Sequence, residues 1–357
     1  MSPSSDPVTA TAAYVTAPYA VEFRHVPLRN VGPHDVLLEV LATGICGYDM
    51  EIAGHLAAEP RPFGHETCCR VREIGSCVSH VAVGDTVVLE SSAFCGDCAV
   101  CRNGRVDLCR NLLGIGAEPV QAFADVLVAP ARVVVPAVGL HPTVAALAEP
   151  CGVAVDMIRL AEIGMTDRVL VVGAGPIGLM ALAMARKATC GEVVAVDSNP
   201  GRLAVASQLG ADAVYARSEA PLPEIGRRHG GFHALLVSAP PSSLPGAIAA
   251  AAYEGRVVFI GFDWGEGGKV TIDTTAMHLG KVQLRPSFAS PALFLPMALD
   301  LLRAGVVPGE TIVSHRFPLS RLGDALRTVA SERDTTRKAM VIPDARFAEL
   351  AGEGATE

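Results

Sequence analysis

The stretch Val169-Leu170-Val171-Val172-Gly173-Ala174-Gly175-Pro176-Ile177-Gly178 decides how the middle of this 357-residue chain folds. Four apolar residues, three of them β-branched, read as a buried strand. The glycines then turn the chain, and an apolar helix follows. Residues 169–185 carry no charge, yet they fall short of the roughly 20 residues a membrane span needs. They are also broken by three glycines and a proline, so strand, turn and helix is the better reading. In that setting each glycine has a reason. Gly173 permits the tight turn, Gly175 lets backbone approach a pyrophosphate, and Gly178 packs helix against strand. The helix start at Pro176 and Ile177 offers the N–H donors of Ile177 and the residues after it, and the positive end of the dipole, to the phosphates. Asp197 ends the next strand, nineteen residues beyond Gly178. A carboxylate there accepts hydrogen bonds from both ribose hydroxyls of NAD and repels the 2′-phosphate of NADP. NAD is the expected cofactor. Arg202 is the residue that could accommodate that phosphate instead, or it is simply a solvated helix face.

Outward from this stretch the texture repeats. Apolar runs at Val169–Val172, 193–196, 234–237 and 257–260 alternate with helical segments, the pattern of a doubly wound parallel sheet. Upstream, from about 14 to 150, short Val-rich runs bounded by turn residues suggest a compact, barrel-like β domain. Downstream come helical runs at 293–304 and 319–330, a strand at 339–342, and a polar, helical tail. The expected class is α/β, with domains at 1–152, 153–290 and 291–357.

Half of the residues are apolar and 18% are charged, which excludes a disordered or coiled-coil protein. A net charge of −8 without any basic cluster argues against a nucleic-acid partner. The first residues, through Tyr14, have neither a basic start nor an apolar core. They read as a frayed small-residue tail and not as a signal peptide. A soluble, cytoplasmic protein is expected, with reduced cysteines free to bind metal and no membrane partner.

Four of the ten cysteines fall within fifteen residues, as Cys95, Cys98, Cys101 and Cys109. The spacing C-x2-C-x2-C-x7-C lets one lobe wrap four thiolates around a tetrahedral zinc in a closed structural site. A disulfide pair is the plainer alternative. A second set is scattered: Cys46 in Gly-Ile-Cys46-Gly-Tyr48-Asp49, His65-Glu66, and Glu149-Pro150. A thiolate, an imidazole and one or two carboxylates suit a zinc that keeps a position open. Each of these also has an ordinary explanation: a buried thiol, a surface imidazole, a helix-start carboxylate. Spacing alone leaves this second site undecided.

Taken together, GICGYD, GHE, the four-cysteine lobe, AEP and VGAGPIG with its downstream Asp197 resemble the zinc-containing medium-chain dehydrogenases, closest to the sorbitol and threonine branch. The resemblance runs from about residue 14 to 343. It implies a GroES-like catalytic domain, made of the first and last parts, beside a Rossmann domain, with the active site in the cleft. It also implies two zincs per chain, NAD, a small-molecule alcohol or ketone substrate, and a homodimer or homotetramer. By the same resemblance Cys46 and His65 bind catalytic zinc, Glu66 and Glu149 supply or exchange at the remaining positions, and Asp49 orients His65. Zinc would then polarise an alcohol oxygen while NAD takes hydride.

Three features depart from the family. Tyr48 stands where relatives carry Ser or Thr, and it either relays a proton or fills space. Only nineteen positions separate Cys46 from His65. Val237-Ser238-Ala239-Pro240-Pro241 replaces a segment that usually carries an acidic residue and a glycine. The last two changes put the usual substrates in doubt and suggest a cyclitol, amino sugar or other secondary alcohol, within the polyol, cyclitol or amino-sugar class that the resemblance implies. A catalytically silent NAD-binding relative is the alternative from another class. Zinc-free quinone reductases of the same fold lack both cysteine sites.

Overall fold

The computed structural model describes residues 8–114, 119–261, 263 and 265–352. Two compact units divide the chain. One comprises Met1–Glu149, Ser290–Arg303 and Val313–Glu357, the other Pro150–Ala289 and Ala304–Ile312.

The second unit is built on six parallel strands. In spatial order they are Ala213–Ala216, Val193–Asp197, Val169–Val172, Phe232–Val237, Ala251–Phe259 and Gln283–Pro286. Numbered along the chain this order is 3-2-1-4-5-6, the doubly wound arrangement that places a ligand crevice beside the first strand. The central strand is buried at every residue and pairs on both sides, Val169 with Val193 and with Ala234. That double pairing explains its continuous apolar run, since strands covered on both faces need no polar alternation. Helices Pro176–Ala188, Pro200–Gln208 and Leu244–Ala250 pack against the sheet. Leu170, Val194, Leu235 and Val257 form one contiguous core with Ile225 and Ile248. The two edge strands, Ala213–Ala216 and Gln283–Pro286, are only four residues each and half-buried or exposed.

The first unit is β-rich. Its main sheet runs Val134–Pro136, Thr86–Leu89, Glu66–Ile74, Asp35–Gly44, Lys338–Ile342 and Val313–Pro318, with Val126–Pro130 also pairing to Asp35–Gly44. The long strand Asp35–Gly44 is the spine. It pairs antiparallel with Glu66–Ile74 down to Gly44 opposite Glu66, and with the C-terminal strand through Met340 opposite Gly44. Of the N-terminal stretch that composition marks as frayed, residues 1–7 lie outside the described residues, while Thr9–Thr16 forms a regular strand. Strand Thr9–Thr16 pairs residue by residue with Ala20–Pro27. Its small side chains are the reason, because Ala10, Ala12 and Ala13 fit a tightly packed core beside Tyr14 and Val15. Helices Leu295–Arg303 and Leu322–Ser331 and the strand Lys338–Ile342 lie within two residues of the expected bounds at their C-terminal ends. Among the described residues no helix is long and apolar enough to cross a membrane.

Candidate active site

The register of the first unit's sheet brings Cys46 and His65 together. Asp35–Gly44 ends two residues before Cys46, and Glu66 starts the strand paired against it. Cys46 is the N-cap of the short helix Gly47–Glu51. The Asp49 N–H donates to Cys46 Sγ at 3.2 Å, and the Cys46 N–H donates to Asp49 Oδ2 at 2.9 Å. This is a reciprocal capping box with a thiol in the usual hydroxyl role. It fixes the direction of both side chains.

Asp49 is fully buried, and its other oxygen, Oδ1, has no hydrogen-bond partner. That oxygen lies 3.7 Å from His65 Nδ1. A buried, unsatisfied carboxylate oxygen is costly, and here it faces the one ring nitrogen that could donate to it. The arrangement suits a His65 whose remaining ring nitrogen binds a metal, with Asp49 fixing the tautomer. Ligand atoms of Cys46, Asp49 and His65 lie within 4.8 Å of one another, and so do those of His65, Glu66 and Glu149.

Charge makes the same demand. Burial, then Asp49 and Glu66, push the Cys46 thiol well above its ordinary range. Burial likewise raises Glu66, against the pull of Lys338. For His65, burial opposes protonation, but Asp49, Glu149 and Glu66 overcome it and raise its pKa. Acidic groups crowded in a buried space call for a cation, and thiolate, imidazole and carboxylate donors suit zinc.

Lys338 is the participant that sequence reasoning missed. Its Nζ lies 2.8 Å and 2.5 Å from the two Glu66 oxygens, and both side chains are buried. A lone lysine 272 positions downstream carries no local signal. Only its place opening the last strand, beside the spine, could have suggested it. Tyr48 is 39% exposed, with its ring centre 6.5 Å from that of His65. The short connection from Cys46 to His65 holds the helix Gly47–Glu51, one wide helical turn at Ile52–Leu56, and the two-residue strand Arg61–Pro62.

The four-cysteine lobe closes on itself. Sulfur separations are 3.4 Å for Cys98–Cys101, 3.6 Å for Cys95–Cys109, 3.9 Å for Cys98–Cys109 and 4.0 Å for Cys95–Cys101. A tetrahedron with Zn–S bonds of about 2.3 Å has S–S edges of about 3.8 Å. Backbone N–H groups of Cys98 and Cys95 point at Cys95 Sγ and Cys109 Sγ, each at 3.4 Å. Such donors favour thiolate, and the Cys98 and Asp97 N–H groups bring the Cys95 thiol down to about 6. All ten cysteines are free, so the disulfide alternative is not realised.

In the second unit, Gly173 has φ +95°, a conformation costly for any side chain. A Cβ on Gly178 would sit 1.8 Å from Gly173 O, so helix and turn meet backbone to backbone. Gly175 caps the helix Pro176–Ala188 without a side chain, and a Cβ there would have only Arg202 Nη1 within 4 Å, at 3.9 Å. The space beside Gly175 at this helix start is therefore open apart from Arg202. Asp197 accepts from the Ala174 N–H at 2.6 Å and the Asn199 N–H at 2.8 Å. Arg202 Nε is buried without a hydrogen-bond partner, which suits an anionic ligand beside it. Ser238, in the segment that departs from the family, donates to Gly173 O at 2.8 Å and braces the turn.

Comparison with known proteins identifies the family. Residues 32–139 match the alcohol dehydrogenase GroES-like domain, and residues 176–303 match the zinc-binding dehydrogenase domain. The chain is 32% identical to L-threonine 3-dehydrogenase of Saccharopolyspora erythraea, over 88% of this chain and 93% of that one. It is 32% identical to sorbitol dehydrogenase of Arabidopsis thaliana, over 89% and 92%. A solved zinc-binding dehydrogenase structure from Sinorhizobium meliloti 1021, bound to NADP, superposes with a TM-score of 0.85 at 28% identity, covering 94% of this chain and 100% of that one. The chain belongs to the zinc-containing medium-chain alcohol and polyol dehydrogenase family, and it is an oxidoreductase of alcohols.

Proposed function

We propose that this protein interconverts a secondary alcohol and its ketone with NAD, on a polyol, cyclitol or amino-sugar-like substrate, and that it binds two zinc ions per chain. The observation that carries the proposal is the buried Asp49 Oδ1, which has no partner and faces His65. Cys46, His65 and a glutamate would hold the catalytic zinc, and Cys95, Cys98, Cys101 and Cys109 the structural one. The bound zinc supplies Lewis-acid polarisation of the substrate oxygen, and the nicotinamide supplies hydride acceptance.

This chain's own residues do the rest. Asp49 orients His65. Gly173, Gly175 and Gly178, with the helix start at Pro176 and Ile177, cradle the pyrophosphate, and Asp197 accepts from the ribose hydroxyls. Arg202 lies beside Gly175, where its unpaired Nε would meet a ligand anion. The Tyr48 hydroxyl, on a partly exposed side chain whose ring lies near that of His65, moves the proton between substrate and solvent. We further read residues 1–152 and 291–357 as the catalytic domain and 153–290 as the NAD domain, in a cytoplasmic homodimer or homotetramer.

The test is a screen of the zinc-loaded protein with NAD and NADP, in both directions, across polyols, cyclitols, amino sugars and short alcohols. Absorbance of the reduced cofactor and zinc per chain are read together. Turnover of one of the larger secondary alcohols with two zincs per chain is the expected result. One zinc with cofactor binding but no turnover of any alcohol would overturn the proposal in favour of a silent relative.

A further inference from the structure

The two glutamates available to the catalytic metal are held in different ways. Glu66 lies in a buried ion pair with Lys338, whose Nζ also lies 3.0 Å from Ile45 O. An ammonium has three N–H donors, and the two Glu66 oxygens and the Ile45 carbonyl use them all. The sheet fixes the position of this cation. Lys338 opens the strand Lys338–Ile342, which is anchored by the pairs Met340–Gly44 and Val341–Thr43 and by the Ile45 N–H to Ala339 O at 3.0 Å. Glu149 sits in the first turn of the helix Ala148–Ala161, half-buried, and its carboxylate makes no hydrogen bond or ion pair among the described residues. Its carboxylate nevertheless lies within 4.8 Å of the ligand atoms of His65 and Glu66.

We infer that Lys338 decides which glutamate completes the catalytic zinc site: it engages both oxygens of Glu66, leaves Glu149 to join Cys46 and His65, and so keeps the fourth position open. The inference rests on the zinc-dehydrogenase reading above. To become a ligand, Glu66 would have either to turn a remaining lone pair toward the metal with the Lys338 ammonium held against the same carboxylate, or to abandon that buried ammonium and strand it with unpaired donors, which is strongly unfavourable. Glu149 has nothing comparable to give up. Lys338 is thus a positioning residue that acts through Glu66 without touching metal or substrate.

Cobalt replaces the catalytic zinc for the test, and azide probes the open position through the d–d absorption bands. Wild type should bind azide. In Lys338→Met the freed Glu66 should occupy the open position, altering the bands before azide is added and weakening azide at least tenfold. The double variant Lys338→Met/Glu66→Gln removes both buried charges together and should regain azide affinity to within about threefold of wild type. Should Lys338→Met fail to fold, Glu149→Gln and Glu66→Gln, which both keep Lys338, test the same point by dialysis. Glu149→Gln should lose catalytic metal affinity by at least tenfold more than Glu66→Gln.

The reverse order, or a Lys338→Met protein with wild-type bands and azide affinity, would overturn the inference while leaving the zinc reading intact. A wild type that takes metal only in the four-cysteine lobe would instead overturn both.

Discussion

The four-cysteine lobe and the centre around Cys46 are both fitted for zinc, and they are built on opposite plans. The lobe draws its donors from fifteen consecutive residues, all of one kind, with sulfurs 3.4–4.0 Å apart and backbone N–H groups directed at them. The centre draws on residues 46, 49, 65, 66 and 149, with a cation from residue 338, and mixes thiol, imidazole and carboxylate. A local, uniform donor set closes around its metal and contributes binding free energy to folding. A dispersed, mixed set is positioned by sheet register, and it can leave one position unfilled. One region should therefore register in stability and the other in turnover.

The largest effect, and the first way to break this contrast, is Cys46→Ser. It should remove one zinc per chain and lower kcat by about 10³-fold or more, since Lewis-acid assistance is worth several kcal/mol. The melting temperature should move by only a few degrees. A variant that keeps its activity, or that unfolds as readily as a lobe mutant, would erase the distinction. The mirror experiment is Cys98→Ser. It should also release one zinc, but its main consequence is a loss of about 3 kcal/mol of stability, with turnover of the folded fraction within about threefold of wild type. Unchanged metal content together with an unchanged melting point would remove Cys98 from any zinc site.

The same contrast explains what could be read in advance. The lobe was legible because its donors share one short segment, so spacing is geometry. The strand Val169–Val172 was legible because burial on both faces leaves no polar residue to blur it. The centre was not legible from spacing, since Cys46 and His65 meet only through the pairing of Gly44 with Glu66. Family resemblance had to bring those residues together on paper. Even resemblance was silent on Lys338, whose contact spans 272 positions, and on Ser238, whose hydroxyl braces the glycine turn. The strand Thr9–Thr16 hid for a different reason. Alanine and threonine look like a tail until a tight core gives small side chains a purpose.

Tyr48 sharpens the comparison inside the centre. Its ring centre is 6.5 Å from that of His65, and its hydroxyl can both donate and accept. Tyr48→Phe keeps the ring and deletes only that hydroxyl. A proton relay predicts a loss of about 10²-fold in kcat, with little change in NAD affinity or zinc content. Near-wild-type turnover would make the ring a filler of the space left by the short connection to His65, and would give the proton a water route.

Asp197 should give the smallest effect, and it joins in one residue the roles that the two metal regions keep apart. Only 9% exposed, its carboxylate accepts from the Ala174 N–H with one oxygen and the Asn199 N–H with the other. It therefore braces the glycine turn before any cofactor arrives, and each oxygen keeps a lone pair for a ribose hydroxyl. Asp197→Ala removes both functions. Two largely buried N–H groups lose their acceptor, which should cost about 1–3 kcal/mol of stability. Asp197→Asn removes the negative charge but keeps one of the two bonds to the turn, through its single amide oxygen, while its NH2 faces the other N–H. Its stability should fall less than that of the alanine variant. The kcat/KM ratio of NADP to NAD should rise about tenfold, or about 1.4 kcal/mol, as repulsion of the 2′-phosphate disappears. Adding Arg202→Ala to Asp197→Asn should reverse part of that gain, if the unpaired Arg202 Nε is what meets the phosphate. A wild type that already prefers NADP would show that Asp197 serves the turn alone.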